Sequence, residues 1–381
     1  MTSKERVYAS LRGEIPDCIP TGEFSVDGDT AERILGRPTP YRSKYIFQQM
    51  LWDGRRDELA DMLKRDIVEL YAKLDCLDII NLACHAGGML PPESYVPEKI
   101  TRIDDTTWKD ESDRIYKYSP QTQDIVMVED PHCWDLDYTR EYFENLAPER
   151  ADDSQFEVID EVVRAFPDRF LISPSGADIG LILLGGFERG LTEYITNEDG
   201  MRAAYEFYVR QENALDETRI RPGTDAVIFQ NDYCFNSGCF LSPSMLREFG
   251  LNPMKERVAH ARKHVPFVFK HCCGNTNDIL NFFAEIGIDC YQSVQRTAGM
   301  DLFSVHRDWG DRFAVWGGID VESYLTGSVE AVHTQTQALL DYYGDGKPRL
   351  IAGSSHSIAV GTRYENFMTY LEMIQTARSK A

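Results

Sequence analysis

The chain has 381 residues, 27% of them charged, 43% hydrophobic and 11% aromatic. That composition excludes a disordered tail, a fibrous repeat and a disulfide-stapled miniprotein. With 62 acidic against 40 basic side chains the formal charge is −22, which repels phosphate backbones and anionic lipid surfaces and argues against nucleic acid and membrane as partners.

In chain order, the opening residues 1–17 lack the apolar stretch of a secretory signal. The longest apolar run, 179–184, is far short of the roughly 20 residues a membrane span needs. Nine cysteines, at 18, 76, 84, 133, 234, 239, 272, 273 and 290, are an odd number without an export signal, so reduced thiols and a cytoplasmic location are expected. Short apolar or β-branched runs alternate with longer amphipathic stretches. Strands are predicted at 18–24, 77–82, 170–173, 226–230, 266–271, 288–294, 313–317 and 350–353. Helices are predicted at 53–74, 155–165, 201–220, 243–263, 276–286, 329–343 and 364–376. Ser242-Pro243 offers an N-cap followed by a first-turn proline, and Asn275 is placed to cap the helix near Thr276. No linker, low-complexity tract or repeat divides the chain. It reads as one domain over 1–381, with a helical cap in 1–60 and an elaborated insertion at 84–165 that holds a small antiparallel sheet around 103–128. Eight strands, most followed by a helix, predict an α/β fold of the (β/α)8 TIM-barrel type. A doubly wound nucleotide-binding sheet is the weaker reading, because no Gly-rich turn follows the first strand and no GxxxxGK[ST] is present.

In such a barrel, chemistry gathers at the C-terminal ends of the strands. Those ends deliver Gly22-Glu23-Phe24, Asn231-Asp232-Tyr233, His271-Cys272-Cys273-Gly274-Asn275, Tyr291-Gln292, Ile319-Asp320 and Ser354-Ser355-His356. His271 and Cys273, two apart, share one face of a strand end, and imidazole with thiolate is a zinc-type pairing that needs a third protein ligand. His356 is the favoured third donor, ahead of Cys290, Asp232 or Glu23; Glu23, Asp232 and Gln295 are open as a fourth. Cys272 points to the other face and is expected in the core. Asp232 and Glu23 are the predicted acid–base groups. Tyr233, Phe235, Gln292 and Asp320 are predicted to contact substrate, the aromatics among them as a wall for a flat molecule. His85 is expected on a solvent-facing loop, and His132, His260, His264, His306 and His333 at the surface. No GxSxG nucleophile elbow supports Ser-His-Asp chemistry.

Taken together, these segments resemble the uroporphyrinogen decarboxylase superfamily, and within it the corrinoid-dependent methyltransferases. The resemblance runs through "KERVYASLRGEIPDCIPTGEFSVD", "DAVIFQNDYCFNSGCFLSPSMLREFGLNP", "FKHCCGNTNDILNFFAEIGIDCYQ", "VWGGIDVESYLTGSVEAV" and "LIAGSSHSIAVGTRYENF". It implies that His271, Cys273 and His356 hold Zn2+, with His356 standing where the thiol-methylating members carry cysteine. It also implies that a corrinoid (cobalamin) is supplied by a separate corrinoid-binding protein, since no Asp-x-His-x-x-Gly segment is present. The methyl donor or acceptor would be a small molecule: a methyl ether such as a methoxylated aromatic, as in an O-demethylase, or alternatively a thiol or tetrahydrofolate accepting from the corrinoid. Porphyrinogen decarboxylation is disfavoured, because Glu23 and Asp27 occupy the region where the decarboxylases carry arginines. A non-catalytic scaffold is the remaining reading, and the oligomeric state is left open.

Overall fold

The computed structural model describes residues 1–132 and 136–380, so Cys133 lies outside the described residues. Its strands are β1 (Ile79–Asn81), β2 (Thr101–Arg102), β3 (Thr107–Lys109), β4 (Ile115–Ser119), β5 (Asp124–Glu129), β6 (Phe170–Ser173), β7 (Ala226–Phe229), β8 (Cys234–Phe235), β9 (Gly238–Cys239), β10 (Phe267–His271), β11 (Cys290–Gln292), β12 (Ala314–Ile319) and β13 (Leu350–Ser354). The helices are α1 (Ser3–Leu11), α2 (Gly28–Leu35), α3 (Lys44–Trp52), α4 (Arg56–Lys73), α5 (Arg140–Glu144), α6 (Glu157–Ala165), α7 (Phe187–Thr196), α8 (Glu198–Arg219), α9 (Pro243–Ala261), α10 (Leu280–Ile286), α11 (Leu302–Trp309), α12 (Val321–Leu325), α13 (Val329–Gly344) and α14 (Tyr364–Arg378).

Seven strands pair in parallel in the order β1-β6-β7-β10-β11-β12-β13. Their two free edges are joined by the predicted first strand, which survives as two bridges, Thr21 to Ala352 and Gly22 to Ile79, both parallel. The result is an eight-staved (β/α)8 barrel. Stave one is short for identifiable reasons. Pro20 has no N–H to give the ladder, although its carbonyl accepts from Ala352 N at 2.8 Å. The Phe24 carbonyl is taken by Asn81 Nδ2 and Cys84 Sγ instead of a neighbouring strand. Gly22 is also sterically required there: a Cβ would lie 2.7 Å from Ile79 Cβ.

Period-2 alternation sorts the strands into two cores. Ile79, Phe170, Ile172, Ala226, Ile228, Phe267, Phe269, Cys290, Ala314, Trp316 and Ile351 fill the barrel interior. Ile80, Leu171, Val227, Val268, Tyr291, Val315 and Leu350 face the surrounding helices. Helix α1, started by a Thr2–Glu5 capping box, puts Val7 and Leu11 into the interior cluster. It sits at the N-terminal rim, where Ser10 Oγ donates to the Leu350 carbonyl and Arg6 pairs with Asp78. The insertion after β1 contains a four-stranded antiparallel sheet in the order β2-β3-β4-β5. Ser242 caps α9 by accepting from Met245 N at 3.2 Å, with Pro243 behind it. The segment predicted as loop after β7 is a two-stranded hairpin, β8–β9, turned at Asn236-Ser237. Among the described residues, no helix is long and apolar enough to cross a membrane.

Candidate metal centre

The alternation that puts Phe267 and Phe269 inside the barrel also turns His271 inward at the end of β10, and Cys273 follows two residues later on the same face. Lys270 and Cys272 turn outward: Cys272 lies in the helix-facing core, and the fully buried Lys270 ammonium pairs with Asp178 at 2.6 Å. In the β10–β11 register His271 stands opposite Gln292, and the two side chains meet inside the barrel. Gln292 Oε1 contacts His271 Nδ1, while Gln292 Nε2 donates to the Ser354 carbonyl at 3.1 Å. That second bond fixes the amide orientation, so Oε1 must accept and Nδ1 must carry the imidazole proton. His271 Nε2 is therefore a bare lone pair, and it faces Cys273 Sγ at 3.2 Å. Phe24 stacks on the imidazole at 4.2 Å between ring centroids.

His356 arrives from the loop after β13, its ring 5.5 Å from that of His271. The Ser354 hydroxyl donates to the His356 carbonyl and so shapes the turn that presents it. One donor atom from each of His271, Cys273 and His356 lies within 4.8 Å of the other two. Zn–N bonds of about 2.0–2.1 Å and a Zn–S bond of about 2.3 Å place tetrahedral N and S ligands about 3.5 Å apart, so the 3.2 Å His271–Cys273 separation suits a shared ion. Burial pulls the His271 imidazolium down to about 4 and lowers His356 too, leaving both rings neutral at pH 7. Burial, reinforced by the Asp232 charge, pushes the Cys273 thiol up to about 12. A cation entering this set displaces one proton, from Cys273.

Asp232 stands at the edge of the cluster. Its Oδ1 accepts from Cys273 N at 2.7 Å and lies 3.9 Å from His271 Nε2, and its side chain is 45% exposed to the mouth. Other predicted site residues fall elsewhere. Glu23 is not at the mouth: it turns outward and is buried, within electrostatic reach of Tyr324 and Tyr370 of the helical layer. Its Oε2 is bonded by both the N–H (2.9 Å) and the hydroxyl (2.5 Å) of Ser354. Both Ser354 groups donate to Glu23 and favour its carboxylate, but desolvation in this fully buried position outweighs them and pushes its pKa up to about 8. Tyr233 is also not at the mouth. Its ring lies under the Lys270 ammonium and its hydroxyl donates to Asp178, behind the barrel wall. Gln292 is fully buried and contacts His271 rather than open space. Asp320 lines a separate cavity of about 290 Å³, 3.5 Å from Arg296. Phe235 is at the rim, 51% exposed, and packs edge-on against Phe240 and Phe187. Cys290 is one step deeper in the interior, and Gln295 accepts from Gly274 N at 2.9 Å. His306, expected at the surface, is buried between Tyr342 and the Pro348 carbonyl.

Two concavities open among the loops at the C-terminal ends of the strands. A cleft of about 830 Å³ opens at the ends of β1, β6 and β7, walled by Phe47, Leu51, His85, Met89, Asp178, Gln230 and Asn231; His85 is exposed into it. A shallower hollow of about 550 Å³ is bounded by the β8–β9 hairpin, Cys273, Gly274 and Gln295. Across that hairpin Cys234 and Cys239 face each other with Sγ atoms 3.1 Å apart. Residues the sequence did not single out are Phe24 as the cover on His271, Ser354 as the anchor of the His356 turn, and the cleft itself. Phe24 was legible in principle, since it alternates in phase with Gly22.

Residues 184–377 match the family model for uroporphyrinogen decarboxylase (URO-D). The chain belongs to the uroporphyrinogen decarboxylase family. The matched stretch carries all three donors, Asp232 and Gln292, and begins beyond Glu23 and Phe24. Among solved structures, a methyltransferase from Methanosarcina mazei shares the fold of this family member, with a TM-score of 0.62 over 100% of this chain and 99% of that one at 17% sequence identity. No curated protein matches the sequence.

Proposed function

We propose that this uroporphyrinogen decarboxylase family member is a zinc-dependent methyltransferase that passes a methyl group from a methyl ether, of the methoxylated-aromatic class, to the cobalt of a separate corrinoid protein. The observation that carries the reading is the convergence of His271, Cys273 and His356 at the barrel mouth with donor atoms within 4.8 Å of one another. Their chemistry fits the ion: two neutral imidazoles, one ionisable thiol, and a fixed tautomer on His271. When bound there, zinc supplies Lewis acidity towards an ether oxygen, and the partner's corrinoid supplies the nucleophilic metal.

The chain's own residues set the conditions. Gln292 keeps the proton on His271 Nδ1 and so keeps Nε2 available, the outer-shell task that orients metal-bound histidines. Phe24 covers one face of that ring and excludes water from it. A donor set with a single thiolate leaves more positive charge at the centre than two thiolates would, which favours an oxygen ligand. Asp232, half-exposed beside the centre, can hold a proton at Oδ2 as the ether oxygen gains charge. Phe235, exposed in the hollow beside Cys273 and held edge-on by Phe187 and Phe240, offers one apolar ring against which a flat substrate can pack. Porphyrinogen decarboxylation lacks such support: Arg42 near the mouth is buried and neutralised by Asp27 at 2.6 Å.

The test is turnover of a methoxyaromatic panel with a reduced corrinoid protein, followed by the free phenol and the methyl-cobalt spectrum. Phenol formation that is lost on chelation and in Cys273→Ala supports the reading. No phenol, with methyl transfer from methylated corrinoid to a thiol or tetrahydrofolate, reverses the direction; full activity without metal removes the metal from the mechanism.

A further inference from the structure

A second set of metal-type donors lies at the opposite end of the barrel. Helix α9 ends at Ala261, but its turn continues: Lys263 N bonds the His260 carbonyl at 2.9 Å, and His264 N and Val265 N bond the Ala261 carbonyl at 3.0 and 3.1 Å. His264 therefore stands one turn beyond His260 on the same face. Opposite them, in the last turn of α8, is Glu217. Its Oε1 lies 3.4 Å from His260 Nε2 and 3.7 Å from His264 Nε2, and the three donor atoms fall within 4.8 Å of one another. Metal–nitrogen and metal–oxygen bonds of about 2.0–2.2 Å place tetrahedral ligands about 3.4 Å apart, so both separations suit one shared ion.

Further observations point to a cation. His260 Nε2 is shut off from solvent and has no hydrogen-bond partner among the described residues; its side chain is 11% exposed. That nitrogen faces the Glu217 carboxylate at 3.4 Å without forming a hydrogen bond to it. The site also lies where the C-terminal ends of α8 and α9 come together, and two carbonyl-rich helix ends favour positive charge. The same helices are already tied beside this cluster by Arg257 and Asp216, the residue before Glu217, at 2.5 Å and both fully buried.

We propose that Glu217, His260 and His264 form a second metal site for a zinc-class divalent cation, with three protein ligands and the remaining position open to water. Two imidazoles select borderline transition metals over magnesium or calcium. The ion clips α8 to α9 at the rim remote from the His271 centre, and the assignment is independent of the proposed methyl transfer.

The experiment is zinc titration of chelator-stripped full-length protein against a chromophoric competitor, with melting curves. Cys273→Ala, in which the mouth centre is disabled, retains one equivalent of zinc and melts at higher temperature when zinc is added; adding His264→Gln or Glu217→Gln abolishes both effects. His264 and Glu217 are exposed, so those substitutions leave the fold intact, which circular dichroism checks. If the mouth centre binds no zinc, wild type holds one equivalent and His264→Gln loses it. The proposal is overturned if Cys273→Ala binds no zinc, or if its zinc survives both His264→Gln and Glu217→Gln.

Discussion

Replacing Gln292 with methionine tests whether the barrel interior prepares the mouth centre. Methionine matches the length and volume of glutamine, so packing changes little, but both amide contacts vanish. His271 Nδ1–H and the Ser354 carbonyl, each buried, lose their partner. A buried polar group left unpaired costs about 1–3 kcal/mol, so the variant is expected to melt several degrees lower. The larger consequence is for the metal. With no acceptor at Nδ1, the imidazole proton is free to move to Nε2, the nitrogen that faces Cys273. Loss of such an outer-shell partner weakens metal binding by about 10–100-fold, or about 1.4–2.8 kcal/mol. The assay is chelator competition for zinc in a His264→Gln background, which leaves the mouth as the measured site, with Gln292→Glu as a control that restores an acceptor. Zinc affinity of Gln292→Met within about twofold of the parent would refute the tautomer argument.

Glu23 makes stability depend on pH. Its folded pKa of about 8 stands above the ordinary 4.5, so the native state holds the proton more tightly; the contribution is fully present below pH 4.5 and is lost as pH rises through 8. About 1.4 kcal/mol remains at pH 7 and is gone by pH 9, a drop that melting curves will register in wild type and that Glu23→Gln removes; equal pH dependence in both proteins would contradict the assignment. Arg257→Met strands the fully buried Asp216 carboxylate and is expected to cost about 3–5 kcal/mol, read as a fall in the urea midpoint. Gly22→Ala drives a methyl into Ile79 across the closing bridge, at about 1–3 kcal/mol for overpacking; an unchanged midpoint would show that stave one does not close the barrel tightly.

Much of this architecture was written in simple periodicity. Inward residues of the long strands alternate so regularly that His271 and Cys273 fall on one face by spacing alone. The same rule excludes Tyr233 from the mouth, because it is in phase with the outward Phe229; its aromatic character obscured that phase. Glu23 was harder. Stave one begins Cys18-Ile19-Pro20, apolar on both faces, so its phase is set only by the bridges at Thr21 and Gly22. Gln292 is visibly inward, but whether it meets substrate or His271 depends on the β10–β11 register. His356 was legible from its place at the end of the last strand, where a barrel gathers its chemistry, and the family resemblance pointed to the same position. His260 and His264 were expected only as surface histidines, and Glu217 joins them only once α8 packs on α9.

The proposed centre gathers one thiol and two imidazoles around a single ion at the barrel mouth. X-ray absorption at the zinc edge, on protein loaded with one equivalent in the His264→Gln background, tests it directly. The spectrum is expected to show one sulfur at about 2.3 Å and two imidazole nitrogens at about 2.0–2.1 Å, with the sulfur absent in Cys273→Ala. A first shell of nitrogen and oxygen alone would contradict it.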